Sequence, residues 1–169
     1  MTASGRANVL MSKCHLCAAV NPNPGQAPNY IEYAAIWDTG ATNCAISQRV
    51  VDALGLKQTG TADVHHADGV AVATPTYMIN VRLPTGVDFN GVIATLARGV
   101  AGGDILIGMD IIGLGDFAVN NVGGITSFSY RNPSIKKIDY VEEARQLKAR
   151  TPAPKQPFWK GIAGKKKRH

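Results

Sequence analysis

The sequence predicts an all-β fold with one or two short helices and a helical extension at its C-terminal end. Three observations predict it. The chain holds 18 Gly and 9 Pro, residues that punctuate strands with turns and suit helix interiors poorly. Apolar residues alternate in "YMINVRL" (77–83), placing Tyr77, Ile79, Val81 and Leu83 on one side. Short apolar runs recur between Gly-, Asp- and Asn-bearing turns along most of the chain. At 169 residues, one domain with a real core is expected.

The elements follow in order. Residues 1–29 read as an irregular, flexible lead-in, because "NPNPGQAPN" (21–29) has three prolines and no periodicity. "YIEYAAIW" (30–37) is strand-like, with aromatic and β-branched residues running up to Asp38. "SQRVVDALGL" (47–56) predicts a short helix: Ser47 can cap it, Val50, Val51 and Leu54 have helical spacing, and Gly55 can end it. Residues 61–84 predict a hairpin turned at "ADG" (67–69), where Asp and Gly tolerate the dihedrals of a tight turn. "TGV" (85–87) makes another turn and "FNGVIATLA" (89–97) another strand. "RGVAGGD" (98–104) is a loop and "ILIG" (105–108) a short buried strand. "MDIIGLG" (109–115) is a short helix ended by Gly113 or Gly115, and "FAVNNVGGITSFSY" (117–130) is a closing hairpin turned at "NVGG". Beyond Asn132-Pro133, Ile138, Val141, Ala144 and Leu147 recur every three residues, so an amphipathic helix is expected, followed by a Pro-rich and then basic tail. The predicted organisation is a lead-in (1–29), a domain (30–134), and a helix with a mobile tail (135–169).

Composition and charge narrow the function. The formal charge is +6, but residues 136–169 hold eleven Lys or Arg against three Asp or Glu, and residues 1–135 hold seven against nine. A body of slightly negative charge disfavours nucleic acid as the main domain's ligand. The tail "GKKKRH" (164–169) is left as a weak electrostatic contact for an acidic partner, or as a solvated end. No apolar run approaches the roughly 18 residues of a membrane helix, and "MTASGRANVLMSK" (1–13) lacks the apolar stretch of a secretory signal. No membrane association and a cytoplasmic location are therefore expected. Three cysteines, an odd count, argue against a disulfide framework.

"AAIWDTGATNCAIS" (34–47) carries the strongest chemical signal: a carboxylate at the end of a buried strand. Asp-Thr-Gly is also a common turn tripeptide, and by itself it indicates little. Among apolar neighbours, however, two such carboxylates brought together share a proton. One then serves as base toward a water while the other, protonated, hydrogen-bonds a carbonyl. A Thr hydroxyl can lock two such loops together, and a Gly lets the backbone approach the carboxylates closely. One Asp-Thr-Gly supplies one carboxylate per chain, so this chemistry requires a symmetric homodimer, with residues 117–130 as candidates for its sheet.

From Tyr33 to about Ser134 the sequence resembles the retropepsin-like aspartic proteases, the family of retroviral proteases and their bacterial relatives. The resemblance rests on "AAIWDTGATNCAIS", on a flap-like hairpin with its tip near "HADGV" (66–70), and on "DILIGMDIIGLGDFAV" (104–119), with "GITSFSYRNPS" (124–134) similar to the following stretch of bacterial members. It implies a closed, barrel-like acid-protease fold and peptide-bond hydrolysis by a homodimeric aspartic endopeptidase acting on a polypeptide, with no metal or cofactor. It makes Asp38 the catalytic carboxylate, Thr39 the loop-locking hydroxyl and Gly40 the close-approach glycine. Ala41 and Thr42 begin the substrate-binding floor, and His66, Ala67, Asp68 and Gly69 belong to the flap tip. Ile107 and Gly108 would pack beneath the active loop. The flap tip departs from the viral pattern in having Gly69 alone.

The remaining candidates have plainer readings. Asp110 in "IGMDII" is expected to be structural, bonding near the active loop. "CHLC" (14–17) has the spacing of half a zinc knuckle, but no second pair completes four ligands, so free cysteines are expected. Cys44 reads as a small core residue, and a Cys nucleophile with His65 or His66 lacks any activating pattern. On a hairpin only one of those histidines can face substrate. Two rivals are a catalytically idle module that binds peptides or dimerises, and a nucleic-acid-associated protein working through its tail. Deleting residues 151–169 is expected to leave peptide cleavage intact and to weaken any salt-sensitive binding; a cleavage rate that falls with the tail would contradict this.

Overall fold

The computed structural model describes residues 1–19, 25, 27–65, 71–97, 99–100 and 102–150. These divide into two compact units, Met1–Ile135 and Lys136–His169. In the first, strands β1 (Met11–Ala18), β2 (Ile31–Trp37), β3 (Ala45–Ile46), β4 (Gly60–His65), β5 (Ala71–Arg82), β6 (Asp88–Leu96) and β7 (Ile105–Ile107) form one sheet in the order β1-β2-β7-β3-β6-β5-β4. A further pairing of β1 with β5 closes six of these strands into a barrel and leaves β4 hydrogen-bonded outside it to β5. The fold is thus all-β and barrel-like. Closure is mixed: β2 with β7 and β3 with β6 are parallel, while the other pairs are antiparallel.

The alternation in β5 holds: Tyr77, Ile79, Val81 and Leu83 are all buried. They meet Leu16, Ala35, Ile46, Ala94, Ile105 and Ile107 in a single core. The turn after β5 is fastened by hydrogen bonds between Leu83 and Val87 and between Gly86 and Leu83. Helix α1 (Gln48–Leu54) buries Val50 and Val51 and ends at Gly55 in the left-handed conformation (φ 57°). Ser47 stands at the N-cap, but its hydroxyl makes no capping bond. Its N–H donates instead to the carbonyl of Asp104 (2.9 Å).

The structure corrects the reading of residues 1–29. Residues 11–18 are β1, a closing strand of the barrel with Cys14, Leu16 and Cys17 buried. The stretch "MSKCHLCA" contains no β-branched or aromatic residue, so local propensity gave no strand signal; pairing on both sides with β2 and β5 supplies what propensity lacks. Further back, Ala3 N–H donates to Thr126 O (2.9 Å) and Thr126 N–H to Gly5 O (3.0 Å). The expected linker falls largely on residues 20–24 and 26, outside the described residues, as do the flap-tip turn and the tail 151–169.

After the short helix α2 (Met109–Ile112), strands β8 (Asp116–Asn120) and β9 (Ser127–Arg131) form the closing hairpin. Its connection includes a single 3-10 turn, Val122–Gly124, with positive φ at Gly123 (64°) and Gly124 (78°). An aromatic cluster fixes this hairpin to the end of β2. Trp37 stacks on Phe117 (centroids 5.5 Å apart, planes 10° apart) and meets Phe128 edge-on and Tyr130 at a tilt. Each such contact adds about 0.5–1.5 kcal/mol beyond the area it buries. In the second unit, helix α3 (Tyr140–Arg150) is exposed throughout, with the Asp139 carboxylate accepting from Glu142 N–H (3.0 Å) at its start. Val141 and Leu147 of the expected apolar stripe lie open to solvent. Among the described residues no helix is long and apolar enough to cross a membrane.

Asp116 links this hairpin to the end of the first unit. The Ser134 hydroxyl (2.5 Å), the Arg131 guanidinium and the Ile135 N–H (3.2 Å) all donate to its carboxylate and hold it well below the usual carboxylate range. In the unfolded chain an Asp titrates near about 3.9. As the pH falls through that range the unfolded chain takes up the proton first, so the stabilisation is complete above about pH 4 and drains away in more acidic solution. Asp116→Asn is therefore expected to lower Tm at pH 6 and to flatten its fall between pH 6 and pH 3; parallel Tm–pH curves for variant and wild type would contradict the assignment.

Candidate active site

Asp38 follows directly on β2. Its N–H donates to the Ile107 carbonyl (3.0 Å), which continues the parallel β2–β7 ladder by one bond. The chain then turns back, with Ala41 N–H bonding the Asp38 carbonyl (3.2 Å). Within that turn the Gly40 N–H donates to Asp38 Oδ1 (2.8 Å). A Cβ on Gly40 would sit 3.2 Å from the same oxygen. Thr39 and Thr42 are exposed, and Ala41 is half-buried.

The turn is held from below by reciprocal bonds. Met109 and Asp110, in the first turn of α2, donate their N–H groups to the carbonyls of Ala41 (2.8 Å) and Thr42 (3.1 Å). These are orphan donors that every helix start must satisfy. In return the Asp110 carboxylate accepts from Cys44 N–H (2.9 Å) and Cys44 Sγ (3.2 Å). Asp110 therefore braces the loop, as its plainer reading expected. Gly108 lies where the two segments touch: a Cβ there would come within 2.6 Å of the Asn43 carbonyl group. Ile107 and Gly108 are both buried beneath the loop.

The cysteines serve packing. Burial pushes the Cys44 thiol far up; a Gly108 backbone hydrogen bond opposes the shift and the nearby Asp110 adds to it. Burial likewise raises Cys14 to about 12, with Asp104 and Glu32 contributing. Neither supplies a thiolate nucleophile near neutral pH. Cys14 and Cys17 are three residues apart on a strand, an odd spacing that directs side chains to opposite faces. Among the described residues no group of three or more His, Cys, Asp or Glu could hold a metal ion.

Above Asp38 opens a cleft of about 640 Å³. The loop contributes Asp38, Gly40, Ala41 and Thr42 to it, so four of the expected site residues come together there. Thr39 is not among its lining residues. His66, Ala67, Asp68 and Gly69 lie outside the described residues. The sequence reading missed the wall that residues 62–65 of β4 build, together with Leu96 and Leu106 opposite. The alternation along "TADVH" sets Ala62 and Val64 on one face of the flap arm, but nothing local says which loop that face covers.

The family described as "gag-polyprotein putative aspartyl protease" matches residues 29–113, half of the chain, and the chain belongs to that family of retropepsin-like aspartic proteases. A crystal structure of a retropepsin-like aspartic protease from Rickettsia conorii is similar at 14% identity and a TM-score of 0.42, over 72% of this chain and 93% of that one. No curated protein matches.

Gly108→Ala is expected to destabilise the fold by about 1–3 kcal/mol, the usual cost of forcing a methyl into a filled space. Because the overlap is with Asn43 backbone, the active loop must shift. Thermal melting and a peptide-cleavage assay test this together; a variant with unchanged Tm and activity would contradict the close contact.

Proposed function

We propose that this protein is an aspartic endopeptidase that works as a homodimer, with Asp38 of each subunit meeting at the two-fold axis. The observation that carries the reading is a carboxylate on the floor of a peptide-sized cleft, on a loop that β7 and α2 hold in place. Among the described residues the cleft offers one other carboxylate, Asp63. It stands on β4 and makes no hydrogen bond to Asp38 in this structure, so the reading takes the second member of the dyad from another copy.

In that pair, one Asp38 is ionised and accepts a proton from a water poised between the two carboxylates, while the other is protonated and donates a hydrogen bond to the substrate carbonyl oxygen. The water oxygen bonds to the carbonyl carbon. The tetrahedral intermediate then collapses, the C–N bond breaks, and a proton passes from the dyad to the departing nitrogen. Thr39, exposed beside the axis, bridges to the partner loop. The peptide lies extended in the cleft beneath the arm that β4 and β5 form, held by strand-like main-chain hydrogen bonds.

Asp38→Asn is expected to reduce kcat for peptide cleavage by at least about 100-fold, the lower range of what a positioned proton-transfer group supplies. The wild-type activity is expected to be blocked by a transition-state mimic with a tetrahedral hydroxyl carbon. Cleavage that survives in the variant would rule out this role for Asp38. Binding of peptides without cleavage by the wild type would assign the protein to the peptide-binding class.

A further inference from the structure

The closing hairpin has two edges, and the chain's own N-terminal segment fills one of them. Residues 1–5 run antiparallel along β9: Phe128 N–H donates to Met1 O (2.9 Å), Ala3 N–H to Thr126 O (2.9 Å) and Thr126 N–H to Gly5 O (3.0 Å). Thr2 stands opposite Ser127, whose hydroxyl donates to Thr2 Oγ1 (3.2 Å). Strand β9 is therefore flanked on both sides and offers no edge to another chain. Strand β8 pairs, among the described strands, with β9 alone. Among the described residues, the backbone groups of residues 117–120 make no hydrogen bond outside the hairpin.

Exposed edge strands usually carry a guard against pairing, such as a lysine, a proline or a bulge. Strand β8 has none of these. Residues 117–120 read Phe-Ala-Val-Asn, and the whole strand pairs with β9 in unbroken register. The charge of Asp116, at its start, is engaged by Arg131 and Ser134. Strand β8 also lies beside the strand end that leads into Asp38, because Phe117 stacks on Trp37.

The protease reading requires a second copy at Asp38, and on that reading we propose where it docks. Two chains join β8 to β8, antiparallel, about a two-fold axis at Ala118, and each keeps its own N-terminal segment on its own β9. This axis sets Val119 of each copy across from Phe117 of the other, on one face of the joined sheet. Val119 is 40% exposed in the single chain, and an aromatic residue opposite a β-branched one is a favourable cross-strand pair. On the other face Ala118 and its β9 partner Ser129 are small, so no bulky side chain obstructs the approach. The rival arrangement is exchange, in which each N-terminal segment leaves its own chain and pairs with β9 of the other copy.

Disulfide trapping separates the two. Cys14, Cys17 and Cys44 are buried, so introduced cysteines react alone. In Ala118→Cys the paired side chains stand about 4.5–5.5 Å apart across the axis, within reach of a disulfide. In Ser129→Cys, one strand further out on each side, they stand about 14 Å apart and cannot join. Mild oxidation is expected to turn Ala118→Cys into a covalent dimer and to leave Ser129→Cys as single chains on a denaturing gel. In a double variant, Thr2→Cys with Ser127→Cys, the bond is expected to form within one chain. Val119→Lys puts a charge on the open edge and is expected to raise the dimer Kd about tenfold or more, with cleavage recovering at high protein concentration. In a protein that sediments as a dimer, three results would each overturn the proposal and leave the protease reading standing: no cross-link in Ala118→Cys, a bond between chains in the double variant, or an unchanged Kd in Val119→Lys. A wild type that stays monomeric at every concentration would end both.

Discussion

Much of this structure serves one mutual restraint, between the loop from Asp38 to Cys44 and the start of α2. The helix gives the loop two N–H donors and the loop returns two donors to the Asp110 carboxylate. Each partner satisfies polar groups of the other, and orphaning one that is buried, such as those of Cys44, costs about 1–3 kcal/mol. Gly108 permits the contact because only a hydrogen fits against Asn43. The barrel positions both halves: β2 delivers Asp38 and the adjacent parallel strand β7 delivers Gly108 and α2.

Aromatic packing extends the restraint to the closing hairpin. Trp37, the last residue of β2, lies against Phe117, Phe128 and Tyr130, and its indole N–H donates to Ser12 Oγ on β1 (2.9 Å). Tyr130 reaches back through its hydroxyl to the Ile111 carbonyl in α2 (2.7 Å). The hairpin, the helix and the strand before Asp38 thus share one cluster. A disturbance in β8 or β9 is felt at the loop through packing alone, since close-packed side chains shift together.

The legible parts of this protein were those where local chemistry and tertiary role coincide. From Tyr77 to Val81 in β5 the buried side chains alternate, so period and burial agree there. Around α1 the left-handed Gly55 marked the stop. At 38–40 the turn was readable from its Asp and Gly, whose side-chain oxygen and N–H bond each other, while Thr39 lies exposed. Strand β1 was opaque because Cys14, His15 and Leu16 carry no strand preference, and only the closure of the barrel makes them one. Ser47 occupies the capping position without capping, because the neighbouring Asp104 carbonyl takes its N–H and its hydroxyl is turned into the protein. The cleft wall at Ala62, Asp63 and Val64 became visible only when folding brought β4 over a loop some twenty residues earlier in the chain.

The central claim is that two chains build one catalytic site from a carboxylate each. Active-site titration of the purified protein, with a tight-binding mimic of the tetrahedral intermediate, tests it most directly. The account predicts an endpoint of one inhibitor for every two chains, reached in a species of twice the chain mass. An endpoint of one inhibitor per chain, in a species that sediments as a monomer, would contradict it.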